Sequence, residues 1–571
     1  MADFIKTQTS FANGEVSPEF FATDNINGLS CLENMDVLSG GGIQRRSGLT
    51  SVSEIPDNAR IFSFSVSDTQ EYIIVLSNYR MDIYSYGTHI QRIITPWDSA
   101  KISCIQCAQR FNTMIFVHSE CAPQVLCKTE SGFKLSEFGF SKNLPNLSVN
   151  APFVRFDDSV DITITVTPSQ NSNTVATFTT NKDFWKTEMV YSIFSLLGCQ
   201  WAIIEYIDSR TVQAIANDIY TVPDAPVSDW SEIAFSRYRG WPRSITFHQD
   251  RLVFGGTRSW PGGIWLSQVG RHDNFNTGTG LDDQAIFISL QSQQRQQICT
   301  VVSSDNLQIL TTVGEWAISN KPLTPSAVDI KQHTSVGSYS LCYLAPQQIE
   351  GSTVFVAGNG CDIRELSLDD LSETYNATDL CSLSKHLMLL PIDIAYNAAM
   401  RRLYIVRQDG VIAVLNHNTS LGISAWGTYK TDGQFLSVCV CDGKTYVVVR
   451  RESGTYLEFF DPNATQDSGG NNFSFTASGL PLRVSGHNVS NIKLRKITAR
   501  ILNTKHMYIN GNSISLPNDI YASDSDGFSG DVSVNLLGSI DNTIKPAWTI
   551  HGTYPHSATI LSITLHGWYT I

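Results

Sequence analysis

A short apolar strand, a polar turn and a second short strand recur seven times along this 571-residue chain, and their spacing constrains the fold more than any single motif. The copies are EYIIVLSNYRMDIYSYG (71–87), NTMIFVHSECAPQVLCK (112–128), DRLVFGGTRSWPGGIWLSQ (250–268), NLQILTTVGEWAIS (306–319), STVFVAGNGCDIRELS (352–367), RRLYIVRQDGVIAVLN (401–416) and KTYVVVRRESGTYLEFF (444–460). Asn359-Gly360, Asp409-Gly410 and Ser453-Gly454 supply turn residues that tolerate positive φ, so these units read as hairpins. Successive starts lie 41, 138, 56, 46, 49 and 43 residues apart. Five of the six intervals sit near the ~40–50-residue repeat of propeller blades, and the long one equals a blade plus an insertion of about 90 residues. Each hairpin would be half of a four-stranded blade, and blades bury their faces only by stacking around an axis. A string of unrelated hairpins in β-sandwiches is the alternative, but the regular interval favours the propeller. The expected fold is mainly β: a β-propeller of six or seven blades with an inserted α+β unit and a β-rich C-terminal domain.

The boundaries follow from changes in pattern. Residues 1–50, rich in Gly, Asn and Ser, read as an extended arm or belt with little core of its own, ordered by a neighbour or by the propeller rim. Residues 51–139 are the first part of the propeller, 140–235 the inserted α+β domain and 236–460 the second part. Within the insertion WKTEMVYSIFSLL (185–197) is the best helical candidate; 379–388 is a second, outside it. Residues 461–571 are a linker, by the composition of PNATQDSGGNN, followed by a C-terminal β domain.

Composition narrows the function. Charged residues make up 16%, against a typical ~25%, with 42% hydrophobic, which excludes intrinsic disorder and disfavours long solvent-exposed helices. The net charge of −13 lacks the basic footprint of a nucleic-acid-gripping protein. No apolar run reaches ~18 residues and the opening MADFIKTQTSFANGE has no apolar core, so neither a transmembrane helix nor a secretory signal is expected, and the chain should stay in the cytosol unless exported by other means. Of twelve cysteines, Cys104, Cys107, Cys121 and Cys127 have a loosely zinc-like spacing, but their alternating strand context favours core thiols. Cys439 and Cys441 share a strand face, near or beyond disulfide reach.

No phosphate loop, dinucleotide fingerprint, HExxH or GxSxG occurs. His248 sits in a strand, where a satisfied wall histidine outweighs a general base, and His556 and His566 lie too far apart to pair without tertiary help. Asp282-Asp283 and Asp369-Asp370 are paired carboxylates in loops, where solvated or capping acids are the usual explanation. No catalytic, cofactor-binding or metal-ligating residue is assigned, no cofactor is expected, and the protein is expected not to be an enzyme.

The opening FANGEVSPEFFATDNINGLSCLENMDVLSGGGIQRRSGLT (11–50) resembles that of the tail nozzle proteins, or tail tubular proteins B, of short-tailed bacteriophages. A "G-x-x-S-P" stretch, an Asp, an Asn, a Gly-rich turn and a basic "R-R-P-G" are matched here by Gly14, Ser17, Pro18, Asp24, Asn34, Gly41, Gly42, Arg45, Arg46 and Gly48. Thr23 stands where an Arg is common and Ser47 replaces the Pro. The stretch GWPRSITFHQDRLVFGGTRSWPGGIWLSQ (240–268) is similar to the family's "G-[YW]-P-x-x-x-x-F-x-x-x-R-L-x-F-x-G-T". Further matches are Asn274-Phe275, Thr312, Gly314-Glu315-Trp316, Leu323-Thr324-Pro325, Asp379-Leu380, Ser384-Lys385-His386-Leu387, Asp409-Gly410, Trp426 and Val449-Arg450-Arg451. Read alone, these residues require no chemistry; Arg251 and Trp316 suit blade edges, where an aromatic can cover an Arg.

The resemblance implies a structural virion protein: a homo-oligomer, in the family a hexamer, ringed below the head–tail adaptor in the tail. Such a ring extends the DNA ejection conduit, docks tail fibres or spikes, and lets genomic DNA pass without sequence-specific binding. The alternative is a propeller-fold glycan-binding or glycan-cleaving tail protein; a cellular propeller scaffold is disfavoured by the N-terminal segment.

Overall fold

The computed structural model describes residues 2–21, 26–144, 147–169, 174–218, 220–291, 294–369, 371–482, 491–516, 527–536 and 545–570. The chain forms two compact units, one of residues 1–92, 344–371 and 376–571, the other of 93–343 and 372–375.

Seven four-stranded antiparallel units follow one another along the chain. The first is built from Arg60–Ser67, Gln70–Ser77, Arg80–Ser85 and Thr88–Ile94. The second comprises Gln106–Arg110, Thr113–His118, Cys121–Thr129 and Gly132–Glu137. Ser244–His248, Arg251–Gly255, Gly263–Leu266 and Ile286–Ser289 make the third; Ile298–Ser303, Leu307–Thr311, Glu315–Ile318 and Ile330–Thr334 the fourth. The fifth has Gln347–Ile349, Ser352–Val356, Ile363–Asp369 and Thr374–Asp379, and the sixth Pro391–Asn397, Arg402–Arg407, Ile412–Asn418 and Ile423–Tyr429. Gln434–Cys441, Lys444–Arg451 and Gly454–Asp461 form the seventh, which takes its fourth strand, Gly48–Glu54, from the N-terminal region. Every hairpin read from the sequence is the second and third strand of one blade.

The blades stack because their middle strands are apolar on both faces. In Lys444–Arg451, Val447 and Val449 join a core with Val406, Val414 and Phe435, while Val448 points the other way into a core with Ile61, Ile73 and Val75. Val253 faces Ile298 and Ile309, while its neighbours Leu252 and Phe254 face Ile115 and Trp265. A strand buried on both sides reads as a continuous apolar run rather than an alternation.

The insertion is a seven-stranded sheet, in spatial order Phe153–Val154, Trp230–Ile233, Ile193–Leu196, Cys199–Asp208, Thr211–Ala216, Val175–Thr180 and Ile164–Pro168. The expected helix at 185–197 is absent: Thr187–Met189 is a single 3-10 turn and Ile193–Leu196 is a strand. Leu197 and Gly198, with φ of 51° and 80°, turn that strand tightly into the next, and a helix cannot pass through two left-handed residues. Trp185, Met189, Phe194 and Leu196 are buried, but against Trp201 and Trp230 of the sheet. The insertion is therefore β, not α+β, among the described residues. The second helical candidate resolves into the end of the strand Thr374–Asp379 and a 3-10 turn, Lys385–Leu387.

The N-terminal segment is no arm. Gly14–Glu15 and Gly28–Glu33 lie between Ile423–Tyr429 of the sixth blade and Phe475–Gly479, so the blade continues into a ten-stranded sheet that also takes in Thr549–Gly552, Tyr508–Ile509 and Asn512–Ser513. A second layer contains Met35–Val37, Ile43–Arg45, Thr559–Thr570, Asn491–Thr504 and Phe528–Asn535, with Ala2–Gln8 paired to Thr559–Thr570. Phe11, Leu29, Leu32, Met35, Val37 and Ile43 are buried in the core shared with Ala477, Ile497, Trp548 and Ile563. The segment lacks a core of its own because it supplies part of this one. Asp24 and Thr23 lie outside the described residues.

Candidate functional site

The motifs behind the family resemblance are far apart in sequence, yet many meet where the N-terminal segment is threaded beside the sixth and seventh blades. Arg46 is the centre. Its guanidinium is buried and spends all five N–H groups: Nε donates to Asn34 Oδ1 (2.9 Å), two nitrogens to the Asp467 carboxylate (2.9 Å each), and the rest to the carbonyls of Ser47 (2.8 Å) and Lys430 (2.8 Å). The Phe473 ring lies 3.6 Å from its carbon centre. Asp467, equally buried, also accepts from the Thr431 hydroxyl at 2.7 Å. Asn34 Oδ1 accepts the Lys430 amide as well, at 2.8 Å. Gly48, two residues on, admits no side chain: an added Cβ would stand 1.9 Å from the Gln466 carbonyl oxygen.

A second knot lies on the same strands. Gly14, at φ +59°, pairs with Trp426 so closely that a Cβ would lie 2.4 Å from the Trp426 oxygen. The Trp426 indole donates to the Leu380 carbonyl at 2.8 Å. Ser17 Oγ is 2.9 Å from His386 Nδ1, and His386 Nε2 is 2.9 Å from Glu15 Oε1. Serine, histidine and carboxylate in line have the composition of a hydrolytic triad. Their other bonds favour a bracket: Glu15 Oε2 accepts the Leu32 amide (2.7 Å), Ser384 Oγ donates to the Glu15 carbonyl (2.6 Å), and the Ser17 amide donates to Leu383 (2.6 Å). Ser17 is 5% exposed, which leaves little room for a substrate at its hydroxyl. Arg451 completes the region with a bidentate pair to the fully buried Glu458, at 2.9 and 2.7 Å.

The residues weighed for chemistry from sequence are not brought together. His248 is buried; its Nδ1 is 2.9 Å from Ser303 Oγ and its Nε2 has no partner. Burial, reinforced by Lys321, pushes its pKa down to about 4. Because the unfolded chain protonates near 6.5 and the folded one near 4, stability is full above pH 7 and falls as pH drops through that window, by at most about 3 kcal/mol. We expect His248→Gln to narrow the gap in melting temperature between pH 7.5 and pH 5; an unchanged gap would assign the acid sensitivity to other groups.

Asp282 and Asp283 are exposed, and Asp283 accepts a bond from Gln268 Nε2 at 2.9 Å. Asp369 is exposed and accepts the Leu371 amide at 3.1 Å; Asp370 lies outside the described residues. Arg251 is not at a blade edge under an aromatic ring. It is fully buried, donating to the backbone carbonyls of Ser267 (2.7 Å), Gln284 (2.6 Å), Asp282 (2.8 Å) and Leu323 (3.4 Å), so it ties loops where no strand ladder can. Cys104, Cys107, Cys121 and Cys127 are half-buried rather than core residues: Cys104 lies in the turn after Ser99–Ile102, Cys107 on Gln106–Arg110, and Cys121 and Cys127 at the start and near the end of Cys121–Thr129. Among the described residues the one group with cation-ligand spacing is Asp362, Asp379 and Cys381. Arg364 and Lys385 already neutralise its carboxylates at 3.2–3.8 Å, and burial raises the Cys381 thiol to about 12.

Sequence reasoning missed the Arg46–Asp467 and Ser17–His386–Glu15 contacts, whose partners lie 421, 369 and 371 residues apart. No helix of the described residues is long and apolar enough to cross a membrane.

No protein-family model and no curated protein matches the chain. Among solved structures it is similar to the WD40 domain of Neurospora crassa Pan2, at 12% identity over 74% of this chain and 96% of that one, with a TM-score of 0.34. BamB from Moraxella catarrhalis gives 11%, 73%, 98% and 0.33. The β-propeller domain of Myceliophteria thermophila Cps50 (Swd1) gives 7%, 73%, 99% and 0.35. TM-scores this low carry no argument of their own, and the fold rests on the sheets: the chain is a mainly β protein of the β-propeller class, with an inserted β sheet and a two-layered β region formed by both ends of the chain.

Proposed function

We propose that this protein is a subunit of the tail nozzle of a short-tailed bacteriophage, a structural ring component and not an enzyme. The observation that carries the reading is the convergence of the resemblance motifs. Gly14, Ser17, Asn34, Arg46, Gly48, Leu380, Ser384, His386, Trp426 and Arg451 meet in one region, and their polar groups are used on one another and on the backbone. Groups so engaged hold shape, which is what a virion scaffold requires. On this reading about six copies, the family's number, ring a common axis below the head–tail adaptor, and the outer surface docks a fibre or spike. DNA passes between subunits, around the shared axis of the ring, rather than through the narrow central channel of one propeller. With a net charge of −13 per chain, the lumen loops carry more Asp and Glu than Lys and Arg, and phosphates are repelled within about 8–10 Å of the wall.

Electron microscopy of the purified protein mixed with its adaptor tests this. A ring with an axial channel is expected. A persistent monomer, tight binding of duplex DNA by the isolated ring at physiological salt, or glycan cleavage abolished by changing Asp282 or Asp283 would each displace the reading.

A further inference from the structure

Within residues 93–343, a cavity of about 480 Å³ opens where the turns at 119–120, 257–261 and 312 meet the residues leading into the strands Ser244–His248 and Ile298–Ser303. Three arginines line it, Arg243, Arg258 and Arg295, against one carboxylate, Glu120. None of the three has an ion-pair partner among the described residues, whereas nearby Arg239 is clasped by Asp158 and Glu232 at 2.6–3.0 Å. Arg258 donates to the Arg237 carbonyl at 2.8 Å, which fixes the fork but leaves its charge uncompensated. Arg243 is met by the amide oxygen of Gln297, in the orientation that satisfies both groups. Burial holds the Arg243 guanidinium below its ordinary range, as expected of a cation without a counter-charge.

A second observation points to a missing acceptor. Gln296, 7% exposed, lines the same cavity, and its Oε1 accepts from Trp316 Nε1 (3.2 Å) and Thr311 Oγ1 (3.4 Å). Its Nε2 is buried with no hydrogen-bond partner. A buried amide donor left unpaired costs about 1–3 kcal/mol, and an oxyanion would relieve it once a small shift of the Gln296 side chain brings the amide to the cavity surface.

We propose that this cavity binds a tetrahedral oxyanion, the phosphoryl group of free phosphate or of a small phosphate ester, through Arg243, Arg258, Arg295 and the Gln296 amide. Arginine forks match such oxygens in pairs. A duplex is too wide to enter a concavity of this size, which favours a small ligand over a nucleic acid.

Calorimetric titration of the full chain with inorganic phosphate at constant ionic strength should give saturable one-site binding with Kd of about 1 mM or tighter. Arg243→Gln and, at an exposed position, Arg295→Gln should each weaken it about tenfold or more without changing the near-UV circular dichroism. A hexose phosphate binding more tightly than phosphate would assign the site to an ester, and equal affinity to free phosphate. The proposal is overturned if no saturable binding occurs, if wild type and both variants bind alike, or if duplex DNA binds through these arginines and phosphate fails to displace it.

Discussion

Arg46→Ala is expected to lower the unfolding free energy by about 3–5 kcal/mol, the usual consequence of stranding one member of a buried ion pair. The substitution leaves the Asp467 carboxylate buried with only the Thr431 hydroxyl from a side chain, and removes donors from two carbonyls and the Asn34 amide oxygen. Lysine should rescue little: three donors on one atom cannot reproduce a planar fork that reaches five acceptors in different directions. Removing both charges, as in Arg46→Met with Asp467→Leu, should recover part of the loss, because two apolar side chains need no counter-charge. Urea unfolding followed by intrinsic fluorescence measures all three. A cost below about 1 kcal/mol for Arg46→Ala would show that water or a neighbouring group replaces the guanidinium, and the network would not be a fastening.

A chain beginning at residue 56 should fail to fold cooperatively. It lacks Gly48–Glu54, so the strand Gly454–Asp461 of the seventh blade is left as an open edge with unpaired backbone groups. It also lacks Phe11, Leu29, Leu32, Met35, Val37 and Ile43, each worth about 1.5–3 kcal/mol when fully buried. Summed, this is about 9–18 kcal/mol, as large as the total stability of ordinary domains, about 5–15 kcal/mol. Calorimetry should show no sharp transition, with dye binding to exposed apolar surface. A sharp transition within a few degrees of the full chain would mean that the N-terminal strands are dispensable packing.

The blade architecture was legible because each blade carries a local hairpin whose pattern needs nothing from the rest of the chain. Strand–turn–strand alternation and turn chemistry at Asn359-Gly360 and Asp409-Gly410 are encoded within about 16 residues, and the repeat interval supplied the rest. The stretch WKTEMVYSIFSLL misled because Trp185, Met189 and Leu196 have helix-like spacing, whereas the Leu197-Gly198 turn and the aromatic core of the sheet decide for a strand. The N-terminal segment misled for a different reason. Its apolar residues are too sparse to form a core, and nothing local shows that their partners come from residues 423–425 and from 475 onward. The same holds for the polar site. Arg46 looks like a basic surface residue until Asp467 arrives from the far end of the chain, and Ser17 and His386 belong to unremarkable tripeptides until a strand places them side by side.

The pairing of Ala2–Gln8 with Thr559–Thr570 has a consequence for how the protein is made. The strand Ala2–Gln8 has to wait for a partner made more than 550 residues later. At about 5–20 residues per second, translation keeps the N-terminal strands without their final partners for roughly half a minute to two minutes. Throughout that time Phe11, Leu29 and Leu32 lack the C-terminal side of their core, and the Gly48–Glu54 strand lacks a mate until residue 461 has emerged. Closing this sheet is therefore a late step, possible only once residues 559–570 have emerged, and until then the nascent chain carries exposed strand edges.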